Sequence, residues 1–204
     1  MNVTPLISVV IPFYRGEDLL GEAIRSVMDQ TFQDFEIVLV DNNAIPRTKE
    51  VAEEWVLRFP DRIRIFHEPV QGVGSARNKG ITESKGKYVA LFDEDDIMMP
   101  QRLEKQLDIL ETHPEIALVT SHVDYVSHDG KKILSTHVKT FDHASANLIR
   151  AIFRSEPKKR DLASFHLTYR PDGCAWRMER STKESHLSFL RDFLGKGIRE
   201  TLRE

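Results

Sequence analysis

Short apolar segments alternate with amphipathic segments along the first 120 residues of the chain. Residues 6–11, 36–40, 63–66 and 88–92 are rich in β-branched and aromatic side chains, which is typical of buried strands. Between them, apolar residues recur at the three- and four-residue spacing of an amphipathic helix. Alternating strands and helices of this length are typical of βαβ units. The pattern therefore predicts an α/β fold, with a Rossmann-type, mainly parallel sheet and helices on both faces.

The strands and helices of this pattern have recognisable ends. Pro12 is expected to close the first strand, because proline lacks the N–H that a sheet needs. The first helix is expected to end near Gln30-Thr31, and Pro60 should stop the second. Gly72 and Gly74 should open the third helix.

The pattern weakens in the second half of the chain. Residues 117–120 predict the start of a fifth strand, and residues 123–134 predict an added hairpin that turns at Asp129-Gly130. Residues 144–153 are compatible with a helix. Residues 155–185 show neither a helical nor a strand period. This C-terminal tail cannot be placed in the fold from its sequence.

Composition is that of an ordinary globular protein of 204 residues, with 40% hydrophobic and 30% charged residues. A chain of this length predicts one domain, or one domain with an appendage. No run of about 18 apolar residues occurs, so we expect no membrane-spanning helix. The single Cys174 cannot form an intrachain disulfide, which suits a reducing cytoplasm. We therefore expect a cytoplasmic protein.

Charge is distributed unevenly along the chain. Residues 1–149 hold 16 Lys+Arg and 24 Asp+Glu, a net −8, whereas residues 150–204 hold 13 and 8, a net +5. A basic tail can contact an anionic membrane at the inner face, bind nucleic acid or pack on the acidic body. A basic tail is more often only a solvated helical face, and this is the interpretation that we favour.

Four consecutive acids, residues 93–96, follow the apolar segment that ends at Phe92. Their mutual repulsion favours no fold, but oxygen ligands of this kind suit a hard divalent cation such as Mg²⁺ or Mn²⁺. Ligands of open α/β sheets bind at the carboxyl ends of the strands, where these acids are expected. The alternative is a solvated acidic turn.

Polar or glycine-rich residues also follow the other predicted strands. Tyr14 could stack on a base, Asp41 could accept a hydrogen bond from a base or ribose, and Arg77 could lie near phosphate oxygens. The loop at residues 71–80 contains glycines that permit close backbone approach to an anion. Each has a structural alternative: a half-buried aromatic, a turn made by Asp41, a tight loop, and an ion pair of Arg77 with a nearby acid. Their common order at one sheet edge favours a nucleotide diphosphate site.

Five motifs occur in order along the chain, at residues 7–14, 23–31, 34–41, 74–80 and 91–96, and a further stretch lies at 100–103. Together they resemble the motifs of the family-2 inverting glycosyltransferases, which have a GT-A fold. The resemblance covers about residues 5–135.

The resemblance implies a nucleotide-sugar donor, most often a UDP-sugar, a divalent metal, and a glycan or lipid-linked acceptor. It assigns Pro12 and Tyr14 to the nucleoside loop, Asp41 to the base, and Arg77 to the same pocket. It also assigns Asp93 and Asp95 to the two ends of an Asp-x-Asp motif. Asp93 would then lie near the ribose and metal, and Asp95 would be a direct metal ligand. Residues 1–135 would then be the nucleotide-sugar-binding domain, and residues 136–204 a truncated or atypical acceptor-side segment.

The chain departs from the family pattern at the catalytic base. The family commonly places this base in a Glu-Asp pair after the metal motif, and no such pair follows Asp96. Asp161, Asp172 and Asp192 lack a matching context, so the base stays unassigned. The expected function is inverting sugar transfer; the alternative is a nucleotide-sugar-binding remnant without transfer activity.

Two further function classes fit the sequence less well. A nucleotidyltransferase would be expected to have a glycine-rich triphosphate loop after the first strand, where residues 12–16 contain one glycine. A nucleic-acid-binding module would need a basic surface with interleaved aromatic residues, and the body is acidic. We therefore expect no nucleic-acid partner.

Overall fold

The computed structural model describes residues 4–16, 19–113, 118–121, 123–126, 133–137 and 167–169. Its helices are α1 (Leu20–Met28), α2 (Pro46–Arg58), α3 (Val73–Glu83) and α4 (Arg102–Thr112); its strands are β1 (Ile7–Phe13), β2 (Phe35–Asp41), β3 (Ile63–His67), β4 (Tyr88–Leu91), β5 (Leu118–Thr120), β6 (Val123–Val126), β7 (Ile133–His137) and β8 (Leu167–Tyr169). Among the described residues, six strands form a central sheet in the order β3-β2-β1-β4-β8-β5, and β6 pairs with β7 in a separate hairpin. The four strands β3, β2, β1 and β4 are mutually parallel.

The apolar side chains of the strands divide between the two faces of the sheet. On one face, Ile11 and Leu39 belong to a core that includes apolar residues of α1, α2 and α4. On the other face, Val10 and Val38 pack with Ala76 of α3. Successive strand residues point to opposite faces, so burial on both sides requires continuous apolar runs. The predicted α/β architecture with covered faces is confirmed.

Helix α3 lies very close to the sheet because residue 80 has no side chain. An ideal Cβ on Gly80 would be 2.3 Å from Cγ1 of Val10 and 3.1 Å from Cγ2 of Val40. Both valines are fully buried. Glycine at this position therefore sets the depth at which α3 packs, and with it the position of Arg77 one turn earlier.

The sequence predicts that Pro12 closes β1. This prediction is wrong, because the strand continues to Phe13. The main-chain carbonyl of Val10 accepts a hydrogen bond from Phe92, so even-numbered residues of β1 present their backbone groups toward β4. The pairing of β1 with β4 ends at Val10 and Leu91. The missing N–H of Pro12 therefore falls beyond the last paired residue of β4, so no hydrogen bond between β1 and β4 is lost.

The later elements agree with the prediction in part. The hairpin is confirmed by β6 and β7, although its turn lies outside the described residues. Strand β8 is not predicted by the sequence; it pairs antiparallel with both β4 and β5. The helix expected at 144–153 also lies outside the described residues. Among the helices that are described, none is sufficiently long and apolar to cross a membrane.

Candidate functional site

Four loops meet at the carboxyl edge of the parallel strands. Asp41 ends β2 beside Phe13 at the end of β1, and the acids 93–96 follow β4 at the same edge. Main-chain hydrogen bonds join the loops: Ile45 donates to the carbonyl of Tyr14, and Glu68 donates to the carbonyl of Asp41. The expected convergence of the strand-end loops is therefore present in the fold.

The side chain of Asp41 is buried and has several partners. Its Oδ1 accepts a hydrogen bond from the main-chain N–H of Ala44 at 2.7 Å. Its Oδ2 lies 2.9 Å from Nζ of Lys49 and 3.2 Å from Nδ1 of His67. Burial favours a higher pKa for Asp41, but the Ala44 hydrogen bond and Lys49 outweigh it and lower the pKa. Asp41 thus makes a local turn, which is the alternative given above to binding a base or ribose. Its lowered pKa keeps it a carboxylate at neutral pH.

Asn42 connects the loop after β2 to the loop before α3. Its Nδ2 donates to the carbonyls of Glu68 and Val70 at 2.9 and 2.8 Å. Its Oδ1 accepts the N–H of Gly72 at 2.7 Å. Asn42 has no recognisable signal in the sequence, because these partners lie 26–30 residues away along the chain. Asn42 positions the glycine-rich loop at the site.

Arg77 and Asp93 form an ion pair at the centre of this edge. Nη2 of Arg77 lies 2.5 Å from Oδ1 of Asp93, and both side chains are largely buried. Within the described part of the chain, the buried Nε of Arg77 has no hydrogen-bond partner. A buried donor without a partner is costly, so a further acceptor near Arg77 would be favourable. Arg77 thus forms an ion pair with a nearby acid, which is the alternative given above to a phosphate contact.

The four acids that follow β4 have different environments. Asp93 pairs with Arg77, and Glu94 accepts hydrogen bonds from the main chain of residues 14–16. Asp95 keeps an exposed surface. Its pKa is raised by partial desolvation and then by the neighbouring charges of Asp96 and Asp93. Negative charge is thus concentrated around Asp95, as a cation would require.

Arg102 is a buried cation next to the same acids. Its Nη2 donates to the carbonyl of Leu91 at 3.3 Å, and its guanidinium carbon lies 5.6 Å from the ring centroid of Phe92. Burial lowers the pKa of Arg102 to about 9, against the opposing effect of Asp96 and Asp93. In the sequence, Arg102 stands out only as part of the motif at 100–103. Its positive charge offsets part of the acid cluster from within the core.

The acid cluster fits a divalent cation that shares its ligands with a bound molecule. Asp93 and Asp95 offer carboxylate oxygens, the donor type that Mg²⁺ and Mn²⁺ take. Among the residues that the structure describes, no group of three or more His, Cys, Asp or Glu side chains could hold a metal. Two carboxylates, completed by water and substrate phosphates, are a usual set of ligands for Mg²⁺.

The nucleoside candidates lie at the end of β1. Tyr14 is partly buried, and the guanidinium of Arg15 lies 4.8 Å from the centroid of its ring. Pro12 is buried within β1, one residue before the strand ends. The structure therefore brings Tyr14, Arg77, Asp93 and the other candidate acids to one edge; Pro12 supports that edge from inside the strand.

Comparison with known sequences identifies a family. The sequence model of glycosyl transferase family 2 matches residues 8–185. An uncharacterized glycosyltransferase of Methanocaldococcus jannaschii is 38% identical over 128 residues, which are 62% of this chain and 44% of that protein. One of Haemophilus influenzae is 34% identical over 148 residues, 70% of this chain and 57% of that protein. The chain spans less than two-thirds of the length of either relative.

Solved structures share the fold. The mannosyltransferase PcManGT of Pyrobaculum calidifontis, in complex with GDP-Man and Mn²⁺, has a TM-score of 0.53 and 23% identity, covering 60% of this chain and 36% of that one. Residues 1–349 of TarS from S. aureus give a TM-score of 0.53 at 20% identity, covering 90% and 53%. Identities this low establish the fold alone. The parallel sheet with helices on both faces fits the GT-A architecture. With the family match over most of its length, the chain belongs to glycosyl transferase family 2.

Proposed function

We propose that this chain binds a nucleotide-sugar donor and transfers the sugar, with inversion, to a glycan or lipid-linked acceptor. The observation that carries the proposal is the meeting of four loops at one sheet edge, with the Arg77–Asp93 pair at its centre and Asp95 beside it. Family membership supports the nucleotide-sugar class of donor. A UDP-sugar is the donor most often used by the family, and PcManGT is complexed with GDP-Man.

The diphosphate would lie between the acid cluster and α3. Asp93 and Asp95 would hold a divalent metal, Mn²⁺ or Mg²⁺, and PcManGT is complexed with Mn²⁺. A cation bound there would neutralise charge that develops on the leaving diphosphate. The buried Nε of Arg77 has no partner among the described residues and would donate to a phosphate oxygen. This contact would satisfy a donor that the described residues leave unpaired.

The nucleoside would lie at the ends of β1 and β2. The ring of Tyr14 offers a stacking surface, and Pro12 fixes the backbone that precedes it. Asp41 would accept a hydrogen bond from the base. A carboxylate has about four acceptor positions, so its three existing partners leave one available. Lys49 and His67 would hold the carboxylate in place during this contact.

The acceptor side of the reaction concerns the catalytic base and the second half of the chain. Inversion requires a base that deprotonates the acceptor hydroxyl, and no residue of this chain is assigned to that role. We propose that residues 1–135 form the donor-binding domain and residues 136–204 an acceptor-side segment, of which strand β8 completes the sheet of the donor-binding domain. The alternative is a protein that binds the donor without transferring the sugar. Three further points stay predictions: a cytoplasmic location, peripheral membrane contact through the basic tail, and the absence of a nucleic-acid partner.

Calorimetry with UDP and GDP, each with and without Mn²⁺, tests the donor site. We expect binding that depends on Mn²⁺ and is abolished by EDTA. Asp95→Ala should weaken metal-dependent binding by about tenfold or more, since a ligand bond to the metal is lost. Asp108→Ala, the same change at an exposed acid on α4, is the matched control and should bind like the unaltered chain. Equal affinity in Asp95→Ala and Asp108→Ala would refute the metal assignment.

Product analysis separates transfer from binding alone. The chain is incubated with Mn²⁺, a panel of nucleotide-sugars and glycan or lipid-linked acceptors, and the anomeric configuration of any product is determined by NMR. An inverted product supports the proposed reaction. Donor binding without product or donor hydrolysis across the panel supports the binding protein instead.

A further inference from the structure

The carboxylate of Glu94 lies against the main chain of the loop that follows β1. Its Oε2 accepts hydrogen bonds from the N–H groups of Tyr14 and Gly16, both at 2.9 Å. Its Oε1 accepts the N–H of Arg15 at 3.2 Å. Successive main-chain N–H groups that converge in this way form an anion-binding nest, and bonds to a carboxylate are stronger than neutral ones. The nest at residues 14–16 is filled by a side chain of the same protein.

The loop has the shape that this carboxylate needs. An ideal Cβ on Gly16 would lie 2.6 Å from Oε2 and 2.8 Å from Cδ of Glu94. Any side chain at residue 16 would therefore displace the carboxylate or the loop. Glycine at this position and glutamate 78 residues later are complementary parts of one contact.

Glu94 lies between the two acids proposed to hold the metal, Asp93 and Asp95. On the other side of the contact, the N–H of Tyr14 donates to Glu94, and the carbonyl of Tyr14 accepts the N–H of Ile45 at 3.1 Å. The backbone of Tyr14 is thus held between the acidic loop and the loop after β2. A change in the position of either loop would be transmitted to the proposed nucleoside side of the site.

We infer that Glu94 is a positioning residue that fixes the nucleoside loop to the metal-binding loop. The inference rests on the proposed function, because it assigns Glu94 a role in nucleotide affinity without contact with the nucleotide. It also explains how residues 93–96 can hold four acids: Glu94 faces the loop after β1 and satisfies three main-chain donors there. Replacing Glu94 should loosen the loop and weaken nucleotide binding together.

Amide exchange tests the contact without any nucleotide. Hydrogen exchange of residues 14–16, followed by NMR in the full chain, should accelerate about tenfold or more in Glu94→Ala, the factor expected for losing hydrogen bonds to a charged group. Glu94→Gln keeps one acceptor oxygen and should give a smaller acceleration. Glu53→Ala, at an exposed acid on α2, should leave exchange unchanged. Formate should restore protection in Glu94→Ala, because its carboxylate can enter the vacated nest.

Calorimetry with UDP and Mn²⁺, with GDP in parallel, tests the role. We expect about tenfold weaker binding in Glu94→Ala, an intermediate loss in Glu94→Gln, and no loss in Glu53→Ala. Formate should recover affinity in Glu94→Ala, whereas chloride at equal ionic strength should not. In the double variant Gly16→Ala/Glu94→Ala, the added methyl group fills the nest, so formate should have no effect.

The outcomes separate the two proposals. If exchange at residues 14–16 is unchanged in Glu94→Ala, the contact itself is refuted. If exchange accelerates but nucleotide affinity stays the same, the positioning role of Glu94 is refuted while the donor site stands. If the unaltered chain binds neither nucleotide, the proposed function fails and the positioning role fails with it, whereas the exchange data still decide whether the nest exists.

Discussion

Replacing Gly80 with alanine measures how closely α3, the helix that carries Arg77, packs on the sheet. The new Cβ would lie 2.3 Å from Cγ1 of Val10 and 3.1 Å from Cγ2 of Val40. Both valines are fully buried in central strands, so neither side chain can move into solvent. Either α3 must move away from the sheet or the valines must leave their preferred rotamers. We expect Gly80→Ala to be destabilising.

The magnitude follows from two opposing effects. Forcing an extra carbon into a packed core costs about 1–3 kcal/mol. Replacing glycine by alanine in a helix returns up to about 1 kcal/mol. Gly74→Ala is the matched control, because it lies in the first turn of the same helix and its Cβ would meet nothing within 4 Å. The difference in free energy of unfolding between the two variants should therefore be about 1–3 kcal/mol.

Urea unfolding of the ligand-free proteins, followed by circular dichroism and tryptophan fluorescence, measures this difference. The slope of the unfolding free energy against urea should be the same in both variants, so that the midpoints report stability. In a chain of this length, 1 kcal/mol corresponds to about 2–4 °C in Tm. If Gly80→Ala proves as stable as Gly74→Ala, the helix does not pack at the depth described, and Val10 and Val40 do not limit its approach to the sheet.

Three further predictions concern other polar contacts. The lowered pKa of Asp41 means that its carboxylate stabilises the fold above its unfolded pKa of about 3.9 and that this contribution is lost as the pH falls through the lower folded value; urea unfolding between about pH 6 and pH 2.5 should show a smaller acid destabilisation in Asp41→Asn. Arg77→Lys keeps a positive charge opposite Asp93 but loses the guanidinium donors, so calorimetry should show about tenfold weaker binding of UDP with Mn²⁺, and an unchanged affinity would argue against a phosphate contact. Ser8→Ala removes a buried hydroxyl that donates to Glu36 at 2.7 Å; urea unfolding should show a loss of about 1–3 kcal/mol, and a loss near zero would contradict the importance of this hydrogen bond.

The central elements of the fold were predictable because their signal is local. Strands such as β1 and β2 are buried on both faces, so their sequences are continuous apolar runs that a short window detects. The predicted end of β1 at Pro12 is wrong, because the tolerance for proline there depends on where β4 stops pairing. Strand β8 has three residues, and its place in the sheet depends on β4 and β5, which are distant in sequence.

Candidate residues could be named from the sequence, but their contacts could not. Charged residues at strand ends suggest ligand binding, which is why the acids 93–96, Asp41 and Arg77 are candidates. Nothing in the sequence marks Glu94 and Asn42 as positioning residues, since their partners lie 26–80 residues away and come together only in the folded chain. The roles proposed for the site residues themselves stay predictions, which the binding experiments test.

The placement of β8 has a consequence for synthesis of the protein. Strand β4 leaves the ribosome nearly 80 residues before β8, and β5 nearly 50 residues before it, yet β8 lies between them. Until residue 169 has emerged, one edge of the parallel strands lacks its antiparallel neighbour. Unpaired edges are prone to associate with other chains. A nascent or shortened chain that ends before residue 167 is therefore expected to need chaperone protection, even though it already contains all the proposed donor-binding residues.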